Sequence, residues 1–302
     1  MVGGRHVDRG VAAAGVVTLV VLNRGRNVNR SGFFERLLEL GYTDILSVEN
    51  SGSHYDVEAL SRAHRDVRFL LLKRRTSIGE QVNVSMQEAR GTFVYVIWND
   101  MRVQSLGSGL TEALRTRNFL CTAPFIRNQK QELLPTAMAP AFFRSRLKVL
   151  PLAPAYSGAP TLYPYDYAGI YHKEQFVFAG GYDHRIPSSY WQKLDFGFRA
   201  HMWGYMMHIE PQLTATTNQI PSEDATPDES YKRFFLKNLS VRFSADQATL
   251  PLSRFPAFAL RTGGGLYRSF TLFREVQRWV WENRYRFKQD ARRVTELWEA
   301  DR

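Results

Sequence analysis

The sequence predicts an α/β protein: a mostly parallel sheet flanked by helices, with a helical extension at the C-terminal end. Two observations lead there. Apolar runs of strand length alternate with stretches of helical spacing, the order expected of a parallel sheet. Each run is apolar along its whole length, as in strands covered on both faces, and several give way abruptly to polar residues.

The first run is Val16 to Leu22, ending at Asn23. From Gly32 to Leu40, the residues Phe33, Leu37 and Leu40 recur at helical spacing. A second strand, Asp44 to Val48, runs into Glu49-Asn50-Ser51-Gly52-Ser53. Val67 to Leu72 supplies a third, followed by the basic run Lys73-Arg74-Arg75. A helix is expected to open after Gly79 and to end at Gly91, a residue type suited to the position just past a helix. The next strand, Thr92 to Trp98, stops at Asn99-Asp100.

That last boundary is the most informative in the chain, because it delivers a carboxylate to the rim of a sheet, where α/β proteins bind ligands. Mg²⁺ or Mn²⁺ takes few oxygen ligands from protein and the rest from water and phosphates, which makes Asp100 a candidate metal ligand. The alternative is a strand that ends at an ordinary turn, since Asn and Asp are common turn residues. A helix opening beside such a rim aims free N–H groups at the cleft and suits a diphosphate.

At 302 residues and 44% hydrophobic content the chain can bury one large core or two smaller ones. The lone Cys121 excludes an intramolecular disulfide and is compatible with a reducing compartment. Arg5 and Arg9 before the apolar run Val11 to Leu22 mimic a signal peptide. The run is too short to span a bilayer and lacks a small-residue cleavage site, so residues 1–15 read as a flexible tail. A cytoplasmic protein is expected, or one peripheral at the inner membrane face.

The net charge of +11 calls for an anionic partner or a solvated surface. Nucleic acid is not expected as a partner, since no zinc pattern, RNA-recognition signature or helix-turn-helix spacing is visible. In the C-terminal region Leu266, Phe270, Phe273, Val276, Val280, Phe287, Ala291, Val294 and Trp298 recur at helical spacing, with arginines on the other faces. Packing on the catalytic domain or on a second subunit is the favoured reading, and a basic amphipathic helix on an anionic membrane the other.

This order of parts resembles the family 2 glycosyltransferases, which share the GT-A (Rossmann-like) fold. The matching pieces are Leu22-Asn23, the turn from Val48 to Ser53, Gly79 with Asn83, and Ala89-Arg90-Gly91 leading to Asn99-Asp100. A second cluster follows: Gly169-Ile170-Tyr171, Phe178 to Asp183, Trp191, Asp195 to Arg199, and Gly204-Tyr205. The resemblance covers residues 16–245. It implies an inverting glycosyltransferase that moves a sugar from a nucleotide-diphosphate donor to a glycan or glycolipid acceptor, with a divalent metal. The organisation implied is a nucleotide-sugar-binding half over 16–115, an acceptor-binding half over 116–245, and a C-terminal helical extension over 246–302.

Under that reading Asp100 holds the cation, and Glu49 and Asn50 contact the nucleoside. Asn23, Asn99, Gly79 and Asn83 line the donor site, and Lys73 and Arg74 add phosphate contacts. His208 is a further candidate metal ligand, with a structural histidine as the alternative. Two departures stand out. Trp98 occupies the first position of the usual acid pair, and Gln192 and Lys193 stand where the family carries its catalytic acids. Asp195 is then the candidate base, or a helix acid paired with Arg199, and Asp166, among Tyr163, Tyr165, Tyr167 and Tyr171, is an alternative base. The polar stretch Ser222 to Ser230 reads as a mobile loop. The departures also leave open a catalytically inactive member kept as a binding or scaffold module. A nucleotidyltransferase is a third class, without a glycine-rich, lysine-containing loop after the first strand to support it.

Overall fold

A computed structural model describes residues 1–4, 17–25, 29–52, 56–143, 146–219, 223–262 and 265–300. The first part runs β1 (Val2–Gly3), β2 (Val17–Leu22), α1 (Arg30–Glu39), β3 (Ile45–Glu49), α2 (Val57–Ala63), β4 (Val67–Leu71), α3 (Ile78–Glu88), β5 (Phe93–Trp98), β6 (Met101–Val103) and α4 (Ser108–Thr116). It continues through β7 (Cys121–Arg127), β8 (Ala137–Phe143), β9 (Arg146–Leu152), β10 (Ala159–Pro160), a 3-10 turn at Tyr165–Tyr167, β11 (Gly169–His172), α5 (Lys173–Phe178), α6 (Ser189–Met202) and β12 (Met207–Thr217). The last part holds α7 (Glu229–Phe234), a π turn at Phe235–Leu239, the hairpin β13 (Arg242–Ser244) and β14 (Gln247–Thr249), α8 (Phe255–Thr262), α9 (Leu266–Glu282) and α10 (Ala291–Ala300).

The main sheet has the order β1-β4-β3-β2-β5-β11-β7-β12-β10, with β6 also paired to β12. β4, β3, β2 and β5 are mutually parallel. β11 runs antiparallel between β5 and β7, and β12 returns parallel to β7. The continuous apolar sequence of β2, β3 and β5 has its cause here: all of β3 and β5 and nearly all of β2 are buried. Register sets Leu22 opposite both Val48 and Trp98. The polar ends Asn23, Glu49-Asn50 and Asn99-Asp100 therefore form one rim.

Some boundaries differ from the sequence expectation. α3 is capped by the Ser77 side chain, takes Gly79 into its first turn and ends at Ala89 in an extended conformation. Gly91 is thus not the residue that stops the helix; its N–H donates to Thr18 Oγ1 at 2.8 Å. Val2 and Gly3 of the expected tail pair with Phe69 and Arg68 at the sheet edge, and residues 5–16 lie outside the described residues.

Among the described residues two large apolar clusters and a small third one around Ala123, Ala137 and Ile209 fill the interior. Of the large ones, one gathers the parallel strands with α1 to α4, and the other gathers α6 to α10 around Phe198, Phe234 and Phe258. From the C-terminal stripe, Phe273, Val276, Val280, Phe287, Ala291 and Val294 are buried in this second cluster, whereas Leu266 and Phe270 stay exposed. Most of the stripe is spent on packing within the chain. No described helix is long and apolar enough to cross a membrane.

Candidate active site

The rim of the parallel strands is organised by Arg24, which follows β2 by two residues. Its backbone is clamped by Asn99, whose Oδ1 accepts from Arg24 N at 3.2 Å and whose Nδ2 donates to Arg24 O at 3.1 Å. The guanidinium lies 4.4 Å over the Trp98 ring. Its Nε donates to both Asp100 oxygens at 3.2 and 3.1 Å, and one terminal nitrogen donates to Asp166 Oδ2 at 2.5 Å. Two carboxylates thus converge on one cationic group.

Asp166 arrives by a strained backbone. Asp166 and Tyr167 both have positive φ, 50° and 63°, a conformation that costs non-glycine residues energy and persists only where surroundings enforce it. Two hydrogen bonds do so: Trp98 Nε1 donates to Asp166 O, and the Tyr171 hydroxyl to Tyr167 O, each at 2.8 Å. Burial pushes the Asp166 carboxyl above the usual range, opposed by Arg24 and Lys193. Beside this cluster opens a cleft of about 490 Å³ whose lining includes Arg24, Asn29, Arg36, Asp100, Arg102 and Gln219.

A second ionic pair lies beside Tyr163 and Tyr167. Lys193, buried in the second turn of α6, pairs with Glu223 from the stretch ahead of α7. Its ammonium sits 5.5 Å from the ring centroids of both Tyr163 and Tyr167. Burial first, and then the Asp166 and Glu223 charges, raise the Tyr165 hydroxyl to about 12 against the opposing effect of Arg24. The two pairs are therefore neighbours.

Several expected donor contacts are spent on internal bonds. Glu49 is 1% exposed and accepts from Ser47 Oγ at 2.7 Å and from Arg30 at 2.5 Å. Asn23 Nδ2 donates to Val48 O at 2.9 Å, and Asn50 Nδ2 to Asn23 O at 3.2 Å, so these side chains tie the rim together. The Gly79 N–H donates to Gln192 Oε1 at 2.9 Å, and Asn83 bonds Tyr182 N and O at 2.9 and 2.7 Å. Gly79 thus ties α3 to α6 and Asn83 ties it to the Gly180-Gly181-Tyr182 turn, so these polar groups are engaged within the chain. Lys73 and Arg74 are exposed, and Arg74 pairs with Glu80.

Asp195 is fully buried. Its oxygens accept from Lys237 and Asn238 at 2.9 Å each, and Arg199 lies at 3.4 Å. A carboxylate with no exposed surface and these three partners has the setting of a buried counter-ion, which favours the reading of Asp195 as a helix acid paired with Arg199 over that of a base. His208 packs on Phe119 with ring centroids 3.9 Å apart, and pairs across the sheet with Thr122 and Pro160. β12 reaches Met101, the neighbour of Asp100, only at Thr217. His208 and Asp100 are not brought together.

Among the described residues, no group of three or more His, Cys, Asp and Glu side chains gathers as a metal cage. Mg²⁺ and Mn²⁺ accept one or two carboxylates with water and phosphate completing the shell, and the Asp100–Asp166 pair, converged on the Arg24 cation, fits that donor set. Arg24 and Glu223 were not among the expected site residues, Asp166 was expected only as an alternative base, and Lys193 only as a departure. The signal available for Arg24 was its place directly after a strand end at the same rim as Asp100.

The fold matches that of GT-A glycosyltransferase structures. GalNAc-T7, solved with UDP, GalNAc and Mn²⁺, aligns at a TM-score of 0.56 and 13% identity, over 88% of this chain and 56% of that one. The 1–349 piece of S. aureus TarS, solved with UDP-GlcNAc, aligns at a TM-score of 0.50 and 11% identity, over 86% of this chain and 71% of that one. The chain thus spans little more than half the length of the GalNAc-T7 chain. No family model and no curated protein sequence matches it.

Proposed function

We propose that the protein is an inverting glycosyltransferase that moves a sugar from a nucleotide-diphosphate donor, a UDP-sugar first, to a glycan or lipid-linked acceptor. The observation that supports this reading most is the convergence of Asp100 and Asp166 on one cationic position at the ends of parallel strands. Asp100 and Asp166 would hold a divalent cation, which when bound neutralises the diphosphate leaving group. Arg24, with Arg36 and Arg102 in the adjoining cleft, gives phosphate oxygens further cationic partners. Trp98 and Asn99 fix the position of Arg24 and so of both carboxylates.

Calorimetric titration with UDP, with and without Mn²⁺, tests the reading. Metal-dependent binding that is lost in Asp100→Ala is expected. Absence of UDP binding under either condition overturns the reading. The burial of Asp195 and the lysine at 193 favour a second one, a binding module that keeps the fold without turnover. It predicts UDP binding with no hydrolysis of any UDP-sugar.

A further inference from the structure

A glycosyl transfer needs a carboxylate that faces the acceptor and retains an open lone pair. Around the rim the acids differ sharply in this respect. Asp195 is fully buried, the Asp166 side chain is 6% exposed and bonded to Arg24, and Asp100 is held through both oxygens by the same arginine. The Glu223 side chain is 24% exposed and is gripped by Lys193. Its setting is aromatic as well as ionic. The Lys193 ammonium that grips it lies 5.5 Å from the ring centroids of both Tyr163 and Tyr167, which places the carboxylate beside this tyrosine cluster; the Glu223 charge adds to the burial that raises the hydroxyls of Tyr163, Tyr165, Tyr167 and Tyr190. Tyr163 and Tyr167 are buried, whereas Tyr165 and Tyr190 are half-buried and can offer a ring face and a hydroxyl to a sugar. Lys193 is 2% exposed, and a buried ammonium needs a fixed counter-charge, which anchors Glu223 beside α6 although its own segment is irregular.

We propose that Glu223 is the general base of the transfer, carried by the loop ahead of α7 and positioned by Lys193; this rests on the glycosyltransferase reading above. The acceptor hydroxyl gives its proton to the Glu223 carboxylate as its oxygen bonds to the anomeric carbon. The bond from that carbon to the β-phosphate oxygen breaks, and its electron pair leaves with the nucleoside diphosphate. The proton then passes to solvent. With water as acceptor, the products are the free sugar and the nucleoside diphosphate.

The test uses the full chain, UDP calorimetry, and hydrolysis of UDP-glucose, UDP-galactose, UDP-GlcNAc and UDP-GalNAc. For the donor turned over fastest, Glu223→Gln is expected to lower kcat by at least about 100-fold, the usual contribution of a general base, with UDP affinity held within about twofold. Glu223→Asp, which keeps the carboxylate, is expected to recover part of that loss. Undiminished hydrolysis by Glu223→Gln overturns the assignment, and so does UDP binding by the unmodified protein without hydrolysis of any of the four donors. Failure of the unmodified protein to bind UDP strikes the glycosyltransferase reading itself.

Discussion

Replacing Asp195 by Asn separates a structural carboxylate from a catalytic one. The side chain has no solvent exposure and is bonded to Lys237 and Asn238 at 2.9 Å, with Arg199 at 3.4 Å. Removing one partner of a buried ion pair costs about 3–5 kcal/mol, because the remaining charge is left without compensation. Here Lys237 keeps the Asp183 carboxylate at 2.8 Å, and the Asn amide oxygen still accepts one hydrogen bond. The loss is therefore expected at the lower end, about 3 kcal/mol, or roughly a hundredfold in the folding equilibrium. Urea unfolding followed by circular dichroism, extrapolated linearly to water, measures it. An Asp195→Asn protein within about 0.5 kcal/mol of the parent, yet devoid of UDP-sugar hydrolysis, would refute this reasoning and restore Asp195 as the base.

Gly197→Ala places a methyl 2.4 Å from the Leu162 carbonyl oxygen in the middle of α6, and backbone cannot yield as a side-chain tip can. A loss of about 1–3 kcal/mol in the same unfolding experiment is expected. Burial lowers both His201 and His208 to about 4; at His208 Glu210 opposes the shift and Arg117 adds to it. The unfolded chain then binds more protons than the folded one between about pH 6.5 and 4, so stability should fall as pH is lowered through that window. Unfolding midpoints that stay constant across it count against the neutral buried imidazoles. Asp183 adds an acid limb below that: burial alone would raise its carboxyl, but Lys237 and Arg233 outweigh burial and hold it well below the usual range. Its contribution is present above the ordinary Asp value and is lost as pH falls below it, and Asp183→Asn should flatten that part of the stability profile.

The parallel block was legible in the sequence because a strand covered on both faces must be apolar throughout, and β2, β3 and β5 are. The rim was legible for the same reason: the apolar runs end where Asn23, Glu49 and Asn99 begin. The roles of residues at that rim were less so. Glu49, Gly79 and Asn83 have residue types suited to a ligand, yet their polar atoms are used by Arg30, Gln192 and Tyr182, partners that the sequence separates by 19, 113 and 99 positions. Lys193 read as the loss of an acid, whereas the fold returns a carboxylate to its side from Glu223.

The sequence by itself determined the succession of strands and helices in the first half, the polar rim and the placement of Asp100 on it, since these depend on local periodicity and on where apolar runs stop. Tertiary structure alone decided which charges meet. Arg24 joins Asp166 across 142 positions, and Asp195 joins Lys237 across 42. Whether a carboxylate is a ligand, a base or a buried counter-ion depends on its solvent exposure and on the cation that reaches it first. Both are properties of the packed chain.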